Sequence, residues 1–183
     1  MMKVLIDTNI IVTFLTRRND PFLKETDKLL QFCAEGRFSG YIALQTVPIV
    51  WYVLRKIPNH ERRSNLKSIC NLLKLAVTDM EAVRHALSNT DFRDFEDNLQ
   101  DCCAKSVGAD YIVTANVRDY DGHSAVKAVT PSQLLSILND ADAPYDTTDD
   151  ALEVREQHIE YNASEEVPII RPHLHIIAYP TAC

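Results

Sequence analysis

The sequence predicts an α/β fold: a three-layer sandwich around a mostly parallel sheet of about five strands, followed by a C-terminal extension. Three observations predict it. Short continuous apolar runs recur along the chain, as strands buried on both faces require. Stretches with helical spacing of apolar residues lie between them, the alternation that builds parallel α/β sheets. Charge then divides the chain in two. Residues 1–139 carry 17 Lys/Arg against 16 Asp/Glu, whereas residues 140–183 carry 2 against 10.

The first strand is Val4-Leu5-Ile6, ending at Asp7. Residues 8–16 read as a helix with Ile10, Ile11, Phe14 and Leu15 on its apolar face. Asp20-Pro21 signals the next helix start, and Gly36 marks its end. Residues 40–43 form the second strand. A very apolar helix follows at 46–56, where Pro48 is tolerated in the first turn. A polar, basic helix spans about 59–73, and Ala76-Val77-Thr78 is the third strand. Asp79 caps a helix over 81–87. Residues 94–107 make another, closed by Gly108, before the fourth strand at Tyr111-Ile112-Val113. Ala128-Val129-Thr130 is the fifth strand, and Thr130-Pro131 opens the last helix.

The domain boundary is expected near Asn139: residues 1–139 form the folded domain and 140–183 an acidic extension, partly extended or disordered. Within the extension, 140–150 reads as a linker and 151–161 as a short helix. Residues 167–179 read as an edge strand or irregular arm, because Pro168 and Pro172 cannot donate to a ladder.

Apolar residues make up 46% of the 183, enough for a proper core. No apolar run approaches the roughly 20 residues a membrane helix needs, and Asp7 interrupts the opening stretch. The expected location is the cytoplasm, with no membrane partner. Cys33, Cys70, Cys102, Cys103 and Cys183 show no C-x-x-C spacing, so neither a zinc site nor a disulfide framework is expected; the first four read as small core residues.

Sites in open parallel sheets form beyond the carboxyl ends of strands, where strand order reverses. Asp7 and Asn9 follow the first strand; Thr114, Asn116 and Asp119 follow the fourth. Asp97 lies in the first turn of the helix leading into the fourth. If those two strands are neighbours, Asp7, Asp97 and Asp119 converge on one crevice. Like charges so placed need a divalent cation, and oxygen-only ligands favour Mg²⁺ or Mn²⁺. Such an ion activates water and polarises a phosphoryl oxygen, so phosphodiester hydrolysis is the matching reaction. Taken singly, each acid also suits a helix cap, a first-turn position or a loop.

The same residues match a family. K-V-L-I-D-T-N-I-I from Lys3 resembles the opening of PIN-domain proteins. The stretch from Asp94 to Tyr120 resembles their second half, with its T-x-N-x-x-D-[FY] signature, and T-P-S-Q-L-L from Thr130 their close. The resemblance covers about residues 2–139. It implies a metal-dependent endoribonuclease, often the toxin restrained by a small antitoxin protein in a VapBC-type pair, and a homodimer. By motif, Asp7, Asp97 and Asp119 would hold metal, while Asn9, Thr114 and Asn116 would orient the carboxylates or bind water and phosphate. The pattern departs at one place: many family members carry a Glu where this chain has Ile49, which cannot hold a metal. That weakens a two-metal site. Asp101, four residues after Asp97 on the same helix face, is a candidate replacement, with Glu96 and Asp94 as others. The competing reading is a degenerate domain that binds nucleic acid or a protein partner without cleaving.

Arg17-Arg18, Arg55-Lys56 and Arg62-Arg63 are basic pairs that could meet a phosphate backbone, as could Arg93 and Arg118 beside the expected site. Tyr120 could stack on a base. His123 is a weaker candidate base, and His173 with His175 a weaker metal pair. Four scattered glycines offer no phosphate-cradling loop.

Overall fold

A computed structural model describes residues 1–141. The strands are β1 (Lys3–Ile6), β2 (Ser39–Ala43), β3 (Lys74–Ala76), β4 (Tyr111–Val113) and β5 (Lys127–Val129). The helices are α1 (Thr8–Thr16), α2 (Leu23–Ala34), α3 (Thr46–Val53), α4 (Asn59–Leu72), α5 (Met80–Ser88), α6 (Phe95–Val107) and α7 (Pro131–Ala141). The sheet order is β3-β2-β1-β4-β5, and every pairing is parallel.

Successive residues of a strand face opposite sides, and β1 shows it. Val4 and Ile6 join one core with Ile10 and Ile11 of α1, Leu29 of α2, Val50 of α3, Ile69 of α4 and Leu134 of α7. Leu5 joins the other core with Cys103 and Ala104 of α6, Ile112, Phe92 and Tyr120. The three layers expected from the sequence are therefore present, with α5 packed on α6 outside the second core.

Local chemistry sets the helix ends. Asp79 and Asp94 cap α5 and α6 by accepting from backbone N–H groups one to two positions inside each helix. Gly108 closes α6 in the left-handed region (φ 61°). Thr130 and Gln133 make a reciprocal capping box for α7: Gln133 N donates to Thr130 Oγ1, and Thr130 N donates to Gln133 Oε1.

Four expectations change. β3 lies two residues earlier than expected, with Tyr41 opposite Lys74 and Ala43 opposite Ala76. The stretch from Leu72 to Val77 is apolar except for Lys74, and the end of α4 at Leu72 decides the register. The expected helix 46–56 tightens into a 3-10 turn over Leu54–Lys56. Helix α7 continues through Ala141, past Asn139. Cys33, Cys102 and Cys103 are buried, but Cys70 is exposed, on the solvent side of α4. The expected linker, short helix and arm beyond residue 141, with His173, His175 and Cys183, lie outside the described residues. Among the described residues no helix is long and apolar enough to cross a membrane.

Candidate functional site

β1 and β4 are neighbours, with Ile6 opposite Val113. Their carboxyl ends lie where the strand order turns both ways from β1, the crevice position of an open α/β sheet. The ladder reaches one residue further, as Asp7 N donates to Val113 O at 2.9 Å. Asp7 is thereby fixed between the last residue of β1 and the first turn of α1, which it caps.

Asp7 is 3% exposed, and both of its carboxylate oxygens are held. Thr114 Oγ1 donates to Oδ2 at 2.6 Å, and Gln100 Nε2 donates to Oδ1 at 2.7 Å. Asn9 N donates to Oδ1 at 3.4 Å. These bonds favour the charged form, yet burial outweighs them and pushes the Asp7 carboxyl above its ordinary value.

Thr114 is the hub of the crevice. Its hydroxyl donates to Asp7 and accepts from Asn9 Nδ2 (3.3 Å) and from Asn116 N (3.0 Å). Asn9 also accepts from Ala115 N through its Oδ1 at 3.4 Å. Asn9 therefore clasps the loop leaving β4 to the start of α1. The side chains of Asn116 and Arg118 are exposed.

Asp97 sits in the first turn of α6 beside Asp94 and Glu96. Burial, and then the charges of Asp7, Asp94 and Asp119, push its carboxyl up to about 7; a 3.3 Å hydrogen bond from Tyr120 Oη to Oδ1 works against them. Asp7, Asp97 and Asp119 are thus brought into one electrostatic neighbourhood. Glu96 belongs to it as well, raised by burial and by Asp94 and Asp7.

Asp101 has a different job. It is fully buried, with Lys105 Nζ 2.5 Å from Oδ2 and Ser124 Oγ donating to Oδ1. The i,i+4 spacing that suggested it as a replacement acid pairs it with Lys105, one turn further on. Glu96 is the better-placed extra acid. Ile49 is half-buried in α3, and no acid takes its place there. The α3 start meets the crevice through Thr46 Oγ1, 2.8 Å from Thr8 Oγ1.

Tyr120 is 2% exposed, so it cannot stack on a base; it supports Asp97 instead. His123 is exposed against Phe92, with ring centroids 5.8 Å apart. Arg17 is committed to Asp27, with Nη2 donating to Oδ2 at 2.8 Å, and Arg18 to Thr13 and Asp20. That basic pair braces the α1–α2 corner. The residue that sequence reasoning missed is Gln100. Its signal was a polar side chain three residues after Asp97, on the face that also carries Asp101 and Ala104.

The donor set suits a hard divalent cation in kind, because it is all oxygen. After burial, the charges of Asp7, Asp94 and Asp119 raise Asp97, and a bound cation would relieve that repulsion. Among the described residues, no three His, Cys, Asp or Glu side chains stand close enough to hold an ion by themselves.

Comparison with known proteins identifies the family and the fold. A family model described as PIN domain matches residues 3–118. Ribonuclease VapC1 of Aquifex aeolicus (strain VF5) is 27% identical over 116 residues, 61% of this chain and 80% of that protein. Among solved structures, VapBC2 from Rickettsia felis bound to a promoter DNA fragment matches with a TM-score of 0.55 at 15% identity, over 70% of this chain and 98% of that one. VapBC-1 from nontypeable Haemophilus influenzae matches with a TM-score of 0.55 at 15% identity, over 72% and 99%. DNA-bound VapBC from Salmonella typhimurium gives 0.52 at 18%, over 72% and 99%. At these identities the structural likeness speaks for the fold.

Proposed function

The chain belongs to the PIN-domain family, and from that premise we propose that it is a metal-dependent endoribonuclease, the toxin half of a toxin–antitoxin pair. The observation that carries the reading is the gathering of Asp7, Asp97 and Asp119 where β1 and β4 end; burial first, and then the charges of Asp7, Asp94 and Asp119, raise Asp97 to about 7. Supporting it are the relative named as a ribonuclease and the fold shared with VapBC complexes. The partners in this reading are RNA and a small antitoxin protein, with a homodimer as the working assembly in the cytoplasm.

Asp7, Asp97 and Asp119 would hold Mg²⁺ or Mn²⁺, with Glu96 next in line. Such an ion, when bound, supplies an activated water and charge neutralisation at a phosphoryl oxygen. The chain's own residues do the rest. Gln100 and Thr114 fix both oxygens of Asp7, so its orientation does not depend on substrate. Asn9 holds the β4 exit loop against that arrangement. Tyr120 orients Asp97, whose carboxyl, without metal, is the one in the crevice poised to hold or release a proton near neutral pH. Asn116 and Arg118, exposed on the same loop, are the side chains available to a phosphate.

The absence of an acid at Ile49 favours one firm metal position over two, and it also motivates the second reading, a domain that binds without cleaving. Purified protein assayed on RNA with and without Mn²⁺ separates them. Metal-dependent cleavage abolished by Asp7→Asn is expected. Mn²⁺ binding with no cleavage of any RNA would assign the domain to the binding class.

A further inference from the structure

Away from the carboxylate crevice, one face of the domain is strongly polarised. Residues 46–72, comprising α3, the following turn and α4, carry Arg55, Lys56, Arg62, Arg63 and Lys67 against the single acid Glu61. Arg62 is committed to the fold. Its guanidinium lies 3.5 Å from the Trp51 ring centroid and donates to Trp51 O (2.6 Å) and Asn59 Oδ1 (3.1 Å). The other four cations are exposed, and none pairs with a carboxylate among the described residues. Between α3 and α4 runs an open apolar groove of about 530 Å³, lined by Val47, Pro48, Trp51, Arg63 and Leu66.

The chain beyond Ala141 is complementary to this face in both respects. Residues 142–183 carry nine Asp/Glu and two Lys/Arg. Near their end, residues 167–179 include Val167, Ile169, Ile170, Leu174, Ile176 and Ile177. We propose that this segment docks on its own domain: the aliphatic run enters the α3–α4 groove, and the carboxylates meet Arg55, Lys56, Arg63 and Lys67.

Reach permits it. At about 3.3 Å per residue a stretch of this length spans more than roughly 100 Å, against a radius of gyration of about 14 Å for a domain of this size. Tethering also makes a weak contact sufficient, because a linked segment acts at an effective concentration in the millimolar range. The groove walls favour a peptide over nucleic acid. They are almost wholly apolar, and the one aromatic ring, Trp51, already carries the Arg62 guanidinium on a face. The consequence reaches the crevice through α3, whose first residue, Thr46, contacts Thr8 beside Asp7.

Trp51 is the chain's single tryptophan, so its fluorescence reports on the groove. In the full chain, Ile169→Asp with Ile170→Asp is expected to raise acrylamide quenching of Trp51 roughly twofold, because the apolar cover is lost. Arg63→Glu with Lys67→Glu is expected to act in the same direction, and about 1 M NaCl to reproduce part of the effect by screening. Far-ultraviolet circular dichroism checks the fold, and the Ile169/Ile170 variant decides the matter even if the groove variant is unstable. Quenching left unchanged by the Ile169/Ile170 variant overturns the proposal. Quenching that falls as protein concentration rises assigns the groove to a second copy and overturns it too. So does protection that appears only when a single-stranded RNA oligonucleotide is added.

Discussion

Gln100 Nε2 donates to Asp7 Oδ1 across 2.7 Å, linking the middle of α6 to the end of β1. Both residues are buried, so water cannot replace the bond. A hydrogen bond to a charged group contributes about 1.5–3 kcal/mol, and an orphaned buried carboxylate loses that support. Gln100→Met keeps the volume and removes the donor. Under the nuclease reading, Mn²⁺ affinity is expected to fall about 10-fold or more at neutral pH, the usual cost of losing a ligand's supporting partner. Mn²⁺ titration of the variant against the parent checks this. Affinities within twofold of each other would show that Thr114 alone holds Asp7 in place.

Tyr120 Oη to Asp97 is the second such support, at 3.3 Å. Tyr120→Phe removes one hydroxyl and keeps the ring, which packs edge-on to Phe92 at 6.1 Å between centroids. Loss of the bond that lowers Asp97 is expected to move the acidic limb of the cleavage profile to higher pH, with a thermal midpoint within a few degrees of the parent. A profile superimposable on the parent's would mean that the hydroxyl plays no part in setting Asp97.

Much of this was legible in the chain, and the misses have physical reasons. The strands announced themselves because a parallel sheet buries both faces, leaving runs such as Val4-Leu5-Ile6 with no polar interruption. The convergence of Asp7, Asp97 and Asp119 followed from strand ends and needed only that β1 and β4 be neighbours. β3 starts earlier than expected because Leu72 to Val77 is apolar except for Lys74, with no Gly or Pro to mark where α4 stops. For Asp101, one of three candidate acids, an i,i+4 spacing fixes a helix face but not which partner waits there, and Lys105 sits one turn beyond. Gln100 went unnoticed because its function depends on a contact across 93 residues of sequence. That Tyr120 is buried, and not free to stack on a base, cannot be seen in the sequence, because the core that covers it is gathered from distant residues such as Leu5, Phe92 and Ile112.

Gly40 tests the packing independently of the site. It lies in β2, where an added Cβ would stand 2.5 Å from Leu73 Cδ2 and 2.7 Å from Cys33 Sγ. Its backbone is not in the left-handed region, so the objection to a side chain is purely one of space. Gly40→Ala is expected to cost about 1–3 kcal/mol through overpacking between α2, β2 and the end of α4. Urea denaturation measures it. Pairing the change with Cys33→Ala is expected to recover part of the loss, since the nearest sulfur is then removed; no recovery would place the clash on Leu73 alone.

The acidic crevice also sets how stability depends on pH. Asp97 titrates at about 7 in the folded chain, well above the roughly 3.9 of an unfolded aspartate. Between those values the folded state holds a proton that the unfolded state has lost. Stability must therefore fall as pH rises through that window and level off above it. Asp7 and Glu96 are raised as well, so their contributions carry the same sign. In EDTA, the thermal midpoint is expected to drop from about pH 5 to about pH 8 and then flatten, and Asp97→Asn is expected to reduce the drop. A divalent cation favours the charged carboxylates, so the stabilisation by Mn²⁺ is expected to be larger at about pH 8 than at about pH 5. Differential scanning fluorimetry across this range, with EDTA and with Mn²⁺, measures both slopes. A midpoint that rises with pH in EDTA would show that burial and the neighbouring charges do not hold these carboxyls above their ordinary values.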